Sequence, residues 1–556
     1  MTDRFSLALA QINPKVGDIS GNVERIRAAR SLAAEAGADL VLFSELVVVG
    51  YPPEDLVLRR SFLCHAMQAI RDLAADTADG GPALLVSGPW REDDSAVYNA
   101  VFLLEGGTIA ACRYKHNLPN YGVFDEKRVF VAGPLPEPIL FRGVKLGVPI
   151  CEDIWTSRVT DALAAAGAEI LLAPNGSPYE VDKFDVRRSL AAARVAETGA
   201  PLVYLNQIGG QDELVFDGAS FVVNAQGDVP VQMAAWREQI LVTHWRREAD
   251  GRWACRPEPH VEQPSHLAGI YGAMMIGLRD YVRKSRFRGV LLGMSGGIDS
   301  ALSAAVAVDA LGAECVRCVM MPSRYTSSES LEDASACARK LGARIDEIAI
   351  NPGVEALTGM LAPLFAAESA GAGDVTEENL QSRLRGVTLM ALSNKFGFMV
   401  LTTGNKSEMA TGYATLYGDM CGGYSVLKDI YKTTVFALSR WRNLHQPETG
   451  LGPSGLVIPE RIITKPPTAE LRPGQTDEAS LMPYAQLDPI LERLVDFELP
   501  IGEIVAEGWS REATLRVQNL LYGAEYKRRQ APPGVKITRK NFGRDRRYPI
   551  VNGFRE

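Results

Sequence analysis

Histidine is scarce in this chain, with six in 556 residues. No two of them have metal-ligand spacing, which argues against a histidine-built metal centre. Cysteine is sparse as well. Eight are scattered over the whole length, which excludes a disulfide-stapled scaffold. Cys315 and Cys318 form a lone Cys-x-x-Cys, and core packing is expected there rather than zinc or redox chemistry. No apolar run reaches about 18 residues, so no membrane span is expected. Met1-Thr2-Asp3-Arg4-Phe5 leads straight into a strand-like segment without a signal-peptide pattern, which predicts a cytoplasmic protein. Excess positive charge is also missing. A net charge of −8 argues against a broad nucleic-acid-binding surface. The basic stretch Lys536 to Lys540, with Arg544, Arg546 and Arg547, is local. It reads either as a contact to a phosphate-bearing substrate or partner subunit, or as a solvated tail.

What is present is an ordinary globular composition, 46% apolar and 23% charged, in a chain too long for one domain. Residues 1–246 alternate strand-like and helix-like segments and include hairpin-like stretches such as Val97 to Tyr114, so a mixed sheet is expected. The pattern breaks over 247–266, which reads as a linker. Residues 267–556 alternate again, in the manner of a doubly wound parallel sheet whose ligands bind at the carboxyl ends of the strands. Two glycine-rich stretches, Gly371 to Glu377 and Gly418 to Ser425, are expected to be mobile.

Within the second part, Gly293-Met294-Ser295-Gly296-Gly297-Ile298-Asp299-Ser300 follows the apolar run Gly289 to Leu292 and precedes an alanine-rich run. This is strand, tight turn, helix. Adjacent glycines let successive N–H groups face one anion, and the helix N-terminus adds its positive end. Ser295 and Ser300 add hydroxyls, and Asp299 can hold a divalent cation on the phosphates. It is not a Walker A loop, which requires a lysine at its end. The turn resembles the pyrophosphate loop of the ATP pyrophosphatases, enzymes that split ATP to AMP and pyrophosphate.

In the first part, three residues stand at or near the ends of apolar segments: Glu45, Lys115 and Cys151. A cysteine at a strand-to-helix turn can be exposed and have its thiolate stabilised by the helix. A carboxylate can carry the thiol proton to a leaving amine, and a lysine can stabilise an oxyanion. Those roles suffice to hydrolyse an amide. The set resembles the Glu-Lys-Cys triad of the nitrilase superfamily, which implies an α-β-β-α sandwich. By that resemblance Glu45 is the base, Lys115 the oxyanion stabiliser and Cys151 the nucleophile, with Glu126 orienting the lysine. Leu118 to Glu126 and Ile150 to Trp155 are further similar to the glutaminase part of the glutamine-dependent NAD synthetase family. That similarity implies glutamine contacts from Tyr121, Ser177 and Lys183.

The words around Asn379 and Arg383, Leu401 to Glu408, Thr411 to Asp419, Lys432, Pro467 to Asp477 and Tyr526 to Arg528 also resemble that family. The likeness implies that Thr403 and Lys432 contact ATP together with the turn 293–300. It implies that Asn379, Arg383 and Lys527 contact deamido-NAD. Asp299 and Glu408 are the candidate Mg2+ ligands, and Glu408 faces the dinucleotide in an alternative reading. Ammonia-dependent members carry a lysine where this chain has Leu416, which puts that substrate contact in doubt. The implied reaction is ATP-dependent amidation of deamido-NAD with ammonia from glutamine, through an adenylate, without a prosthetic group. A homo-oligomer, at least a dimer through the second part, is implied too, and a tunnel for ammonia is a hypothesis. The competing readings are another ATP-pyrophosphatase amidotransferase, a nitrilase-type amidase with a nucleotide-sensing second half, and a non-enzymatic scaffold.

Overall fold

The computed structural model describes residues 3–92, 96–367, 375–477 and 481–556. The chain divides into two compact units, Met1–Ser265 and His266–Glu556.

The first unit holds two large sheets and a two-stranded ribbon, Ile208–Gln211 with Leu214–Asp217. One has seven strands in the order Trp253–Cys255, Gln239–Arg247, Arg4–Gln11, Leu40–Phe43, Ala83–Arg91, Val97–Glu105 and Thr108–Tyr114. The other has six, in the order Val231–Gln232, Phe221–Val223, Leu202–Asn206, Ile170–Asn175, Val144–Gly147 and Ile139–Phe141. Strand side chains alternate between faces. Leu7, Leu9, Leu40, Leu42 and Leu85 therefore meet Ile170, Leu172, Val203 and Leu205 in one core between the sheets. Their neighbours Ala8, Ala10, Val41, Phe43, Leu84 and Val86 pack outward against the helices Ile19–Glu35 and Arg60–Asp76. On the other side Leu171, Ala173 and Tyr204 meet the helices Ser157–Ala165 and Lys183–Thr198. Covering both faces of each sheet gives the four-layer α-β-β-α sandwich, and explains why the strands read as continuous apolar runs.

The start of the expected linker is instead a hairpin. Trp253–Cys255 pairs with Gln239–Arg247, the Trp253 ring is buried, and the Arg247 guanidinium lies over it. Two buried side chains alternating with a half-buried one make a strand of a segment that polar composition alone marks as a connection.

The second unit contains a five-stranded, wholly parallel sheet in the order Arg344–Glu347, Val316–Met320, Val290–Gly293, Met399–Thr402 and Tyr424–Ser425. The strand order reverses about Val290–Gly293, which opens a crevice beyond the carboxyl ends of Val290–Gly293 and Met399–Thr402. A second core, including Leu487, Ile490, Val517 and Leu521, is built by the helices Tyr484–Val495 and Arg511–Gly523.

The Gly418 to Ser425 stretch, expected to be mobile, is built into the sheet edge. Gly423 N–H donates to the Val400 carbonyl at 2.8 Å, and a Cβ on Gly422 would lie 2.9 Å from that same oxygen. Of the other glycine-rich stretch, residues 371–374 lie outside the described residues. The basic stretch is not uniformly solvated: Lys536 pairs with Asp545 at 3.0 Å and Arg546 with Glu525 at 2.7 Å, all four side chains being buried. Cys318 is a buried strand residue in the sheet core. Among the described residues no helix is long and apolar enough to cross a membrane.

Candidate functional sites

In the first unit, Leu40–Phe43 ends two residues before Glu45, and Thr108–Tyr114 ends one residue before Lys115. Lys115 is wholly buried and its Nζ donates to Glu45 Oε1 at 2.6 Å and to Glu126 Oε1 at 2.8 Å. Asn99 Nδ2 steadies Glu45 Oε1 at 2.8 Å, and the Tyr51 hydroxyl donates to Glu126 Oε1 at 2.8 Å. Burial alone would lower the Lys115 ammonium, but the charges of Glu126, Glu45 and Cys151 outweigh it and hold it well above its ordinary value. Burial pushes Glu126 up to about 7 against the pull of Lys115.

Cys151 sits at φ 46°, at the start of a single 3-10 turn, Cys151–Ile154. It is buried, not exposed as its position after an apolar run suggests. Burial, with the Glu45 charge added, holds its thiol well above the ordinary value. The resting form is therefore the thiol, and the short turn supplies no helix dipole sufficient to change that. The Gly176 N–H faces both Glu45 Oε2, at 3.1 Å, and the Cys151 sulfur. Asp153 ties the nucleophile turn to the lysine strand: its carboxylate accepts from Ile150 N at 3.0 Å and from Asn117 N at 2.7 Å.

The three residues implied as glutamine contacts lie in two places. Ser177 follows Gly176 and is buried. Tyr121 is exposed, and its hydroxyl donates to Glu152, the residue after the cysteine, at 3.1 Å. Lys183 Nζ lies 5.9 Å from the Phe124 ring, on which Tyr121 also packs edge-on. Glu152 and Phe124 were not singled out by the sequence.

In the second unit the glycine turn bends as its composition predicts. Gly296 has φ 78°, and a Cβ there would meet the Ser330 carbonyl oxygen at 2.2 Å. Ser300 Oγ donates to the Gly297 carbonyl at 2.9 Å, and the helix Ile298–Leu311 starts inside the turn. Asp299 Oδ2 and Glu408 Oε1 share the Lys432 ammonium at 2.5 and 3.2 Å. Asn405 joins them: its Nδ2 donates to Asp299 Oδ1 at 2.9 Å, while it caps the helix Lys406–Thr411 that carries Glu408. Burial pushes Glu408 up to about 8, with Lys432 opposing and Asp299 adding.

Two adjoining cavities meet at this point and share Ser295, Thr403, Asp419, Ala469 and Glu470. The polar one, about 160 Å³, is lined by Gly297, Asp299, Ser300, Glu408 and Lys432. The other, about 250 Å³, is lined by Met294, Val319, Met321, Leu389 and Leu401 and suits an apolar ring system. Asn379, Arg383 and Lys527 converge on one segment. Asn379 Oδ1 accepts from Thr415 Oγ1 at 3.0 Å, Arg383 Nε donates to the Leu416 carbonyl at 3.2 Å, and Lys527 Nζ donates to the Gly412 and Ala414 carbonyls at 2.8 and 2.7 Å. Glu470 was missed as a site residue; it accepts from Ser327 and Ser330 Oγ, both at 2.8 Å, beside the turn.

The two units thus define a protein that joins a carbon–nitrogen hydrolase fold to a nucleotide-binding synthase fold. Residues 6–254 match the carbon-nitrogen hydrolase family and residues 270–531 the NAD synthase family. The chain is 52% identical to the glutamine-dependent NAD(+) synthetase of Rhodobacter capsulatus over 100% of both chains. It is 49% identical to that of Xanthomonas campestris, covering 99% of this chain and 97% of the other. The solved glutamine-dependent NAD+ synthetase of Acinetobacter baumannii, in complex with ADP, matches with a TM-score of 0.78 at 41% identity over 99% of both chains. The chain belongs to the glutamine-dependent NAD(+) synthetase family.

Proposed function

We propose that this chain converts deamido-NAD to NAD+, using ATP and the amide nitrogen of glutamine. One observation carries the reading. Each unit of a single chain holds a buried lysine between two carboxylates, one beside a cysteine and the other beside a phosphate cradle. In the first unit Glu45 takes the Cys151 proton as sulfur attacks the amide carbon of glutamine. Lys115 holds the oxyanion, and Glu45 returns the proton to the departing ammonia. Water, deprotonated by Glu45, then cleaves the thioester to glutamate. Glu126 keeps Lys115 charged and in place. Tyr121, Ser177 and Lys183 hold the amino-acid part of glutamine.

In the second unit the turn 293–300 and Thr403 hold ATP. The nicotinate carboxylate, held with its dinucleotide by Asn379, Arg383 and Lys527, attacks the α-phosphorus. Lys432 balances charge on the departing pyrophosphate. Ammonia then displaces AMP. Asp299 and Glu408 fit Mg2+: they offer only oxygen donors at the edge of a polar cavity, and magnesium takes one or two carboxylates with phosphates and waters. The bound ion would neutralise phosphate charge. A homo-oligomer through this unit accords with exposed Met360, Leu364 and Val387 on the neighbouring helices Asn351–Ala367 and Thr376–Phe396. A cytoplasmic location accords with ATP and glutamine as substrates.

The test is Cys151→Ala. It should abolish glutamine-driven NAD+ formation and spare synthesis from added ammonia. Glutamine-driven synthesis that survives the change would refute the division of labour. An external ammonia trap should leave glutamine-driven synthesis by the unaltered enzyme intact if ammonia passes between the sites without release.

A further inference from the structure

The helix Lys183–Thr198 carries a buried arginine that the reaction as described does not use. Arg187 is 1% exposed. An arginine without partners would be costly there, and this one has all three nitrogens engaged. Nη1 donates to both Asp217 oxygens at 2.8 Å. Nη2 donates to the Ser177 and Pro178 carbonyls at 2.8 and 2.7 Å. Nε donates to Ser177 Oγ at 3.1 Å. From the neighbouring strand Asn206 grips the same residue: Ser177 N donates to its Oδ1 at 2.9 Å, and its Nδ2 donates to the Ser177 carbonyl at 3.0 Å. Asn206 Nδ2 also reaches Asp217 Oδ1 at 3.4 Å, closing the ring of contacts.

The segment so held is the one that meets the reacting groups. Gly176, immediately before Ser177, points its N–H at Glu45 and the Cys151 sulfur. It passes close to Tyr51, and a Cβ on Gly176 would come within 2.8 Å of that ring. Lys183 lies four residues before Arg187, one turn away on a similar face of the helix. One helix thus supplies both Lys183, near the Phe124 ring, and the guanidinium that holds Ser177.

We propose that Arg187, braced by Asp217, is a positioning residue for glutamine hydrolysis. It sets the register of Gly176-Ser177-Pro178 against Glu45 and Cys151. Its Nε occupies the Ser177 oxygen from behind, so the side chain meets the substrate in a fixed orientation. A planar fork that bridges Asp217, a hydroxyl and two carbonyls has no lysine equivalent, because one ammonium cannot span those partners. The inference rests on the assignment of glutamine hydrolysis to the first unit.

The test uses the full chain as Arg187→Lys, Arg187→Met and Asp217→Asn, with sites counted by iodoacetamide alkylation of Cys151 and Cys151→Ala as the blank. Per titrated site, Arg187→Lys should raise the KM for glutamine and lower kcat, reducing kcat/KM by about 10-fold. Arg187→Met should reduce it by about 100-fold, the usual consequence of misplacing a reacting group by about 1 Å. Asp217→Asn should fall between them. Synthesis driven by added ammonia should stay within about twofold of the unaltered enzyme. A merely structural arginine would lower the number of titratable sites and the Tm, yet leave KM and kcat per site unchanged, and that result overturns the proposal. If Arg187→Met does not fold, Arg187→Lys decides on the same criterion. Survival of glutamine-driven synthesis in Cys151→Ala would instead overturn the assignment of the first unit.

Discussion

Replacing Lys115 with methionine isolates what the buried ammonium does for folding from what it does for chemistry. Lys115 has no exposed side-chain surface and lies 2.6 Å from Glu45 and 2.8 Å from Glu126. The change leaves two buried carboxylates facing each other without a counter-charge. Removing one partner of a buried ion pair costs about 3–5 kcal/mol. For a unit of this size that corresponds to a Tm lowered by roughly 6–20 °C. The loss depends on pH with a definite sign. Glu126 is raised to about 7 even with Lys115 pulling it down. Without the lysine its folded value rises further, above its unfolded value. A carboxyl so raised favours folding at low pH and loses that contribution as pH rises through the folded value. The variant should therefore approach the unaltered protein near pH 5 and fall furthest behind it near pH 8. Adding Glu126→Gln should recover much of the stability at pH 8, because one buried charge is removed. Glutamine hydrolysis should recover nothing, because the oxyanion still has no cation. Thermal unfolding of the first-unit transition at the two pH values, beside glutaminase assays of the single and double variants, measures each quantity. A Lys115→Met protein as stable as the original at pH 8, or a double variant no more stable than the single one, would refute the account of the clamp.

Gly296→Ala should eliminate AMP formation from ATP, with ammonia or glutamine as donor, while the first unit still hydrolyses glutamine; φ 78° and an oxygen 2.2 Å from the new carbon leave the turn no room. Coupled assays of AMP and glutamate check both halves, and AMP production near the original rate would contradict the cradle. At pH 7 Glu408, raised to about 8, is mostly protonated. Binding of Mg2+ with ATP should therefore be accompanied by proton release, seen as a binding enthalpy that varies with the ionisation heat of the buffer. Glu408→Gln should remove that dependence, and a buffer-independent enthalpy in the original protein would count against Glu408 as a ligand.

The parts of this protein legible in its sequence are those where local pattern and tertiary burial agree. Leu202–Asn206 and the pair Val97–Glu105 and Thr108–Tyr114 are readable because their burial or turn chemistry is written in adjacent residues. Tyr424–Ser425 is not, since two residues among glycines carry no period and become a strand only by pairing with Leu401 and Thr402. Glu45, Lys115 and Cys151 stand out at the ends of apolar runs. Their supports do not: Asn99 reaches Glu45 across 54 residues, and Asp217 reaches Arg187 across 30. One signal for Arg187 was present. Arg187, Ala191, Arg194 and Val195 follow the spacing of a helix's buried stripe, and an arginine on such a stripe requires a buried acceptor.

The two sites solve opposite problems with one device. In each, an ammonium lies between two acidic side chains, so a cation is held at a fixed point in a low-dielectric setting with a counter-charge beside it. The difference lies in access. Around Lys115 both carboxylates are nearly sealed, with 0% and 6% of their side-chain surface exposed, and Glu126 Oε2 has no hydrogen-bond partner among the described residues. Such a site suits a small neutral amide group and the movement of one proton within it. Around Lys432 both carboxylates are 17% exposed toward a polar cavity lined by the glycine turn. There the two acids and the ammonium are open to a ligand that enters the cavity. Sealing therefore suits acyl transfer from a neutral amide, and partial exposure suits polyanion chemistry, though the same set of one lysine and two acids is used in both.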